Sequence, residues 1–345
     1  MFPLNQWYVA GFSWELDKGP VTRTLLNKPV LMFRHSDGSV AALEDRCCHR
    51  SLPLSLGKVE ERGIRCGYHG LLFSPEGRCL EIPGQVEIPA KCKVRSFRVA
   101  ERDQILWIWF GSGATDVPTQ DPPAYRWHSD DCYEYHGDVY RYDAPYQLIH
   151  DNLLDLSHLG YVHLCTIGGD PSTHMTAEMK VETNGDSVQI VRHMKNSLPP
   201  ATYTDAWPFK QRIDRWQEIE FHVSHIRIWT GGVDAGTDSL NNPDREGFHM
   251  RGFHGVTPET DTTSHYFWTI ATNRPPSGIS NMKQVFEQTA LTFEEDKVVI
   301  AAQFSNIKRF GTSSQVDIHV DAGANRARRI VSRLIKENVA SFETK

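Results

Sequence analysis

The sequence predicts an α+β protein of two domains: a small all-β domain over residues 1–114 and a larger domain over 115–345 in which an antiparallel sheet packs with helices. Three observations predict it. Short apolar runs separated by turn signals fill the first third of the chain. A stretch rich in turn formers, Gly111 to Pro118 and then Asp121-Pro122-Pro123, interrupts that pattern. Beyond it, alternating strand-like segments stand beside long runs with helical periodicity.

Taken in order, Val30–Arg34 is β-rich, His35 to Ser39 is a hairpin turn signal, and Val40–Leu43 is the returning strand. Gly70–Phe73 runs into the turn Ser74-Pro75-Glu76-Gly77, and Val94–Val99 and Ile105–Phe110 complete the first domain. In the second, residues 147–164 read as helical and 168–172 as a Gly/Asp-rich loop. Strands are expected over Ser187–His193, Trp216–Trp229 and Ser264–Ala271. A long helix is expected over 281–303, and an amphipathic one over 324–339 that buries Ile330, Val331, Leu334 and Ile335. No internal repeat is present.

The 345 residues are 39% hydrophobic and 23% charged, an ordinary globular composition. A formal net charge of -6 argues against nucleic acid or an anionic membrane as partner. No apolar run reaches the ~20 residues that span a bilayer. The start, Met1 to Trp7, has no basic region followed by an apolar core, so a cytoplasmic protein is expected. Seven cysteines in a chain this long do not suggest a disulfide framework.

Two groups of residues carry chemistry. The first is Cys47-x-His49, sixteen intervening residues (50–65), then Cys66-x-x-His69. Each half offers one thiolate and one imidazole on a tight loop. Two such loops facing each other can hold a two-iron cluster, with both cysteines on one iron and both histidines on the other. Replacing two thiolates by neutral imidazoles raises the reduction potential. Gly67 and Gly70 would let main-chain amides approach the sulfurs. A Cys2His2 zinc site is the alternative, although mixed Cys/His halves are unusual for it. Cys48 is read as a small buried residue and not a ligand.

The second group lies in Asp151 to His163, which puts two carboxylates, an amide and two imidazoles into a leucine-rich segment. His158 and His163 are five apart, an offset of about 140° in a regular helix. They share one ion only if the helix distorts, with Gly160 the weak point, or if His163 ends it. Along 281–303, Asp296 falls inside an apolar stripe of Phe286, Thr289, Phe293 and Ile300, while Glu294 and Glu295 fall off it. A carboxylate on a buried face needs a cation or donors. An ion pair with a core arginine would serve. So would a metal, and His158, His163 and Asp296 form the two-histidine, one-carboxylate set that suits non-haem Fe(II). Asp155, one turn before His158, is placed to take the second nitrogen of its ring. Asn152, a further turn back, would line the same cavity.

Together these groups resemble the signature of the Rieske non-haem iron oxygenases, Cys-x-His…Cys-x-x-His followed by Asn-x-x-Asp-x-x-His-x4-His. Asn5 to Ala10, Asp151 to His163, Thr257 to Thr260, Glu295-Asp296 and Asp321 to Gly323 look like the branch of vanillate O-demethylase, dicamba O-demethylase and toluenesulfonate methyl-monooxygenase. Arg46-Cys47-Cys48-His49-Arg50 and Glu81 to Gln85 look most like the last of these. The resemblance implies a Rieske [2Fe-2S] domain, a helix-grip domain with mononuclear Fe(II), and a head-to-tail homotrimer. In such a trimer Asp155 would link His158 to His69 of a neighbouring subunit, acting with Asn152 as a catalytic residue.

The resemblance further implies a separate flavin/iron–sulfur reductase that delivers electrons from NAD(P)H, since no dinucleotide-binding motif is visible here. One atom of O2 enters a small aromatic acid and the other leaves as water. A methoxy group would be lost as formaldehyde, and a ring methyl would become an alcohol. His254 matches a position that holds the substrate carboxylate. Trp207, Phe209 and Trp268 are candidate walls of an aromatic pocket. A ring-hydroxylating dioxygenase shares every metal ligand, and a non-catalytic Rieske electron carrier shares the first site.

Overall fold

The strand Lys28–Arg34 is buried on both faces, and its alternate residues serve two different cores. Val30 and Met32 point into one with Tyr8, Leu106 and Ile108. Leu31 and Phe33 point into the other, with Leu54, Ile64 and Phe73. Fully burying each such side chain contributes roughly 1.5–3 kcal/mol. Three antiparallel sheets result. Gln6–Phe12, Ile105–Phe110 and Val99–Arg102 form one. Val21–Leu25, Lys28–Arg34, Val40–Glu44 and Ser96–Phe97 form the second. Lys58–Glu60, Gly63–Arg65, Leu72–Phe73 and Cys79–Glu81 form the third. The single strand expected over Val94–Val99 is divided, because Ser96–Phe97 and Val99–Arg102 pair in different sheets.

The structure, a computed structural model, describes residues 1–112, 117–312 and 315–343. The expected boundary at 114/115 lies outside the described residues. The chain divides into two compact units: Met1–Ala124 with Thr257–Asp261 and Asn338–Lys345, and Tyr125–Val256 with Thr262–Glu337.

The second unit is built on one seven-stranded antiparallel sheet. Its spatial order is Tyr133–Tyr142, Ser264–Asn273, Phe248–Pro258, His225–Asp234, Ile213–His222, Ser187–Ser197, Glu178–Asn184. The expected strand Trp216–Trp229 is two strands, because Val223-Ser224 turns the chain between paired His222 and His225. The long helix runs Met282–Phe310, further than expected at its C-terminal end, and stops at Gly311 with φ 75. Its Phe293 ring meets Trp268 of the sheet at 4.8 Å, and its Phe293 carbonyl accepts from the Tyr142 hydroxyl at 3.0 Å. The last helix, Ala322–Glu343, buries Ile330, Val331 and Leu334 and leaves Ile335 half-buried.

Residues 147–164 do not form one helix. A helix spans Tyr146–Leu154, the chain breaks at Asp155 (φ -120, ψ 96), and a short turn of helix spans Leu159–Val162. The Asp155 carboxylate accepts from the Ser157 amide at 2.8 Å, a local bond that competes with helix continuation. Gly160 is not the weak point: it sits within the short helix, where a Cβ would lie 2.5 Å from the Pro171 Cα. Close packing demands the glycine there.

Candidate metal centres

The two Cys/His loops of the first unit are conformational copies. In one, the Cys47 amide donates to the Leu52 carbonyl (2.8 Å) and the Cys47 carbonyl accepts from Ser51 (3.0 Å). In the other, the Cys66 amide donates to Leu71 (2.8 Å) and the Cys66 carbonyl accepts from Gly70 (3.1 Å). The closing residues Ser51 (φ 58) and Gly70 (φ 74) both adopt left-handed backbone. Gly67 has a packing reason, since a Cβ there would lie 2.5 Å from the Leu56 carbonyl oxygen. Cys47 and Cys66 are buried, while His49 and His69 are exposed with ring centroids 4.6 Å apart. Burial, partly offset by a hydrogen bond from the His49 main chain, pushes the Cys47 thiol up to about 11. Two buried thiols and two adjacent exposed imidazoles are a donor set that would fit a two-iron cluster, which would supply one-electron transfer. Cys48, expected to be buried, is exposed, its Sγ 3.6 Å from that of Cys92.

In the second unit the helix break turns His158 and His163 toward Asp296 of the long helix. The Nε2 atoms of His158 and His163 lie 3.4 and 3.2 Å from the same Asp296 oxygen. Ligand atoms of the three residues all fall within 4.8 Å of one another. Both Nδ1 atoms are engaged on the far side. That of His158 is 2.5 Å from the Asp155 main-chain carbonyl, and that of His163 is 2.7 Å from the Glu295 carboxylate. With Nδ1–H held behind, each ring would offer its Nε2 lone pair to a metal bound between them, the tautomer a metal needs. Asp296 is 4% exposed, and among the described residues its ion-pair partners are these histidines, not an arginine. Burial works against its charge, yet the two rings hold its carboxyl well below the usual range. Burial likewise opposes a charge on His163, but Asp296 and Glu295 raise it above its ordinary value. A donor set of this chemistry fits a divalent metal.

The residues around this cluster differ in part from expectation. Asn152 donates to the Asp296 carboxylate at 2.8 Å, besides lining the cavity. The group at the His158 Nδ1 is the Asp155 carbonyl, not its carboxylate, because the broken helix swings that side chain onto Ser157. Glu295, which lies off the apolar stripe, reaches His163. Its position beside Asp296 is the sequence signal for it, since a carboxylate behind a metal-bound histidine is a recurrent support.

The cavity beside the cluster holds about 60 Å³ and is lined mostly by apolar side chains such as Leu153, Leu156, Met250 and Ile270. His254 lines it too, buried, with its Nδ1 2.7 Å from the Tyr266 hydroxyl. Burial lowers the His254 pKa to about 3, so the ring is neutral near pH 7. Trp207, Phe209 and Trp268 do not line this cavity, and its aromatic walls are Tyr203 and Phe293. Trp207 borders a different recess, and Trp268 is covered by Phe293 and Phe286.

Comparison with known proteins agrees with these features. Residues 6–98 match the Rieske [2Fe-2S] domain family, and residues 142–337 match the vanillate O-demethylase oxygenase C-terminal domain family. The toluene-4-sulfonate monooxygenase system iron–sulfur subunit of Comamonas testosteroni is 37% identical over 340 residues, covering 97% of this chain and 98% of that one. The vanillate O-demethylase oxygenase subunit of Pseudomonas sp. is 33% identical over 344 residues, covering 97% and 95%. Among solved structures, dicamba monooxygenase bound to dicamba aligns with a TM-score of 0.87 at 32% identity, covering 97% and 98% of the two chains. The class is thus a Rieske-type non-haem iron oxygenase component, a dioxygen-dependent oxidoreductase. Within that class the chain belongs to the family that carries the vanillate O-demethylase oxygenase C-terminal domain. No helix among the described residues is long and apolar enough to cross a membrane.

Proposed function

We propose that this chain is the terminal oxygenase of a monooxygenase system that attacks the methyl or methoxy carbon of a small aromatic acid. His158, His163 and Asp296 hold a mononuclear Fe(II), and Cys47, His49, Cys66 and His69 hold the [2Fe-2S] cluster. The observation that carries the reading is the convergence of two Nε2 atoms and one carboxylate within 4.8 Å, with both Nδ1 atoms tied behind. When bound, the iron supplies dioxygen activation and the cluster supplies electrons one at a time. The chain's own residues do the rest. Asn152 orients the Asp296 carboxylate, Glu295 fixes the His163 tautomer, and the apolar wall excludes water from the reacting carbon. His254 provides a neutral polar contact to substrate.

Electrons come from NAD(P)H through a separate flavin/iron–sulfur reductase, and the working assembly is a cytoplasmic homotrimer. Asp155 links the two metal sites across a subunit boundary. Support for that role comes from its half-buried carboxylate, which among the described residues accepts only the Ser157 amide. The test is oxygen uptake with a surrogate reductase and vanillate or p-toluenesulfonate, with products read by mass spectrometry. A phenol with formaldehyde, or a benzylic alcohol, is expected; a cis-diol would assign a dioxygenase instead. Iron analysis should return three irons per chain, against two for a simple Rieske carrier.

A further inference from the structure

A buried cation without a buried anion is costly, and Arg215 is such a cation. It is 2% exposed, on the strand Ile213–His222, and lines the same cavity as His158, His163 and Asp296. Its Nη1 donates to the Gly168 carbonyl at 3.1 Å and its Nη2 to the Ile167 carbonyl at 2.8 Å. Its guanidinium carbon stands 4.9 Å from the Tyr203 ring centroid. All of these partners are uncharged, and among the described residues no carboxylate pairs with it. The Nε is buried and has no hydrogen-bond partner.

We propose that Arg215 is the anion anchor of the substrate cavity, taking the carboxylate or sulfonate of an aromatic acid. This rests on the aromatic-acid reading above and names the residue that recognises the acid. An arginine has five N–H groups. The two loop carbonyls occupy one on each Nη and Nε–H has no partner, so an anion taken side-on would use the edge formed by Nε–H and Nη2–H. That edge is the fork that binds two oxygens of an oxyanion side-on. The loop contacts hold the guanidinium in one orientation, so little freedom is lost when the anion arrives. Arg192, on the neighbouring strand Ser187–Ser197, is also buried. It bonds the Gln217 side-chain oxygen and the His174 carbonyl and does not line the cavity. Arg215 is the arginine that faces the cavity beside the cluster.

The sheet register separates this anchor from His254. Arg215 pairs with Gly232 and His254 with Ile226, whereas Ile226 in turn pairs with Phe221. Six residue steps along Ile213–His222 lie between the two rows, about 20 Å of strand at ~3.3 Å per residue, a gap that both side chains narrow. The two residues therefore sit in well-separated rows of the sheet face that lines the cavity. The neutral His254 supplies polarity in one row and Arg215 supplies charge in the other.

The test is calorimetric binding to the metal-loaded protein, comparing p-toluenesulfonate with its uncharged isostere p-toluenesulfonamide, and vanillate with vanillamide. Wild type is expected to prefer each acid over its amide. Arg215→Gln should weaken acid binding by about 100-fold and amide binding by less than about threefold, with Arg215→Lys intermediate. His254→Ala should leave the acid-to-amide ratio intact. An equal loss for acid and amide in Arg215→Gln would reduce Arg215 to a structural brace and overturn the proposal, as would no loss for either. Should Arg215→Gln fail to fold, wild type decides: equal affinity for acid and amide overturns the anchor. If wild type binds neither acid and oxidises neither, the aromatic-acid reading itself fails.

Discussion

The two candidate metal centres are assembled on opposite principles. The Cys/His loops take all their proposed ligands from residues 47–69, and each loop closes itself with its own main-chain hydrogen bonds. The histidine–carboxylate cluster draws on a broken helix and on a second helix far along the chain. The first site is a property of local backbone. The second exists only when tertiary packing brings Asp296 to His158 and His163, and it depends on Asn152 and Glu295 behind the ligands. A locally built site should tolerate distant change and fail only at its own residues. A site built by packing should be graded, with each supporting contact carrying a share.

Removing a ligand gives the largest effect and separates the regions cleanly. Cys66→Ser should abolish cluster absorbance and turnover while leaving the mononuclear iron in place. Asp296→Ala should abolish turnover while the cluster spectrum and two irons per chain persist. Loss of both metals in either variant would break the distinction. Next in size is Asp155→Asn, which should keep all metal and slow turnover by about 100-fold, the scale of a lost supporting contact. Full activity there would remove Asp155 from the electron route. Glu295→Gln should weaken mononuclear iron binding by about 10–100-fold, read by chelator competition, with the cluster untouched.

Acid sensitivity sharpens the comparison from another side. In the second unit, burial lowers His150 to about 3, and burial followed by the charge of Arg251 lowers His249 to about 4. Both values lie below the ordinary 6.5 of the unfolded chain. Between those limits the unfolded state binds more protons, so stability rises with pH. Thermal melting of this unit should fall as pH drops from about 6.5 toward 4, and replacing both residues by Phe and Leu should flatten that slope. The smallest effects lie in the loops. Gly70→Ala should cost about 1–2 kcal/mol, from the left-handed backbone and the Pro83 ring 2.9 Å from the new Cβ. Ser51→Gly should change stability by less than about 1 kcal/mol in denaturant titration.

This contrast also explains what could be read in advance. Cys47, His49, Cys66 and His69 announce themselves by spacing because their geometry is local. Asp296 could be picked out because a carboxylate inside a stripe of Phe286, Phe293 and Ile300 is conspicuous. The same periodicity hides Glu295, since it says nothing about a side chain that reaches sideways. The break at Asp155 is masked by Gly160, because a glycine looks flexible until Pro171 is seen against it. The hairpin at Val223-Ser224 lacks a glycine or proline, so Trp216–Trp229 read as one strand. Phe248–Pro258 is not legible as a strand, because a strand buried on both faces does not alternate. Arg215 carries a signal of its own: it shares a strand face with Ile219 and Phe221, where a charge is out of place.

The cavity volume of about 60 Å³ has a kinetic meaning. A pocket that admits benzene is nearer ~150 Å³, so an aromatic ring must wait for Leu156, Met250 and their neighbours to swing aside. If the wall has to part before a ring enters, apparent affinity equals intrinsic affinity multiplied by the fraction of molecules in which it has parted. Arrival of substrate becomes a gated event whose rate saturates with concentration. Trimming Met250 would raise the open fraction, so that a variant with a poorer wall captures bulky acids faster than the natural protein does.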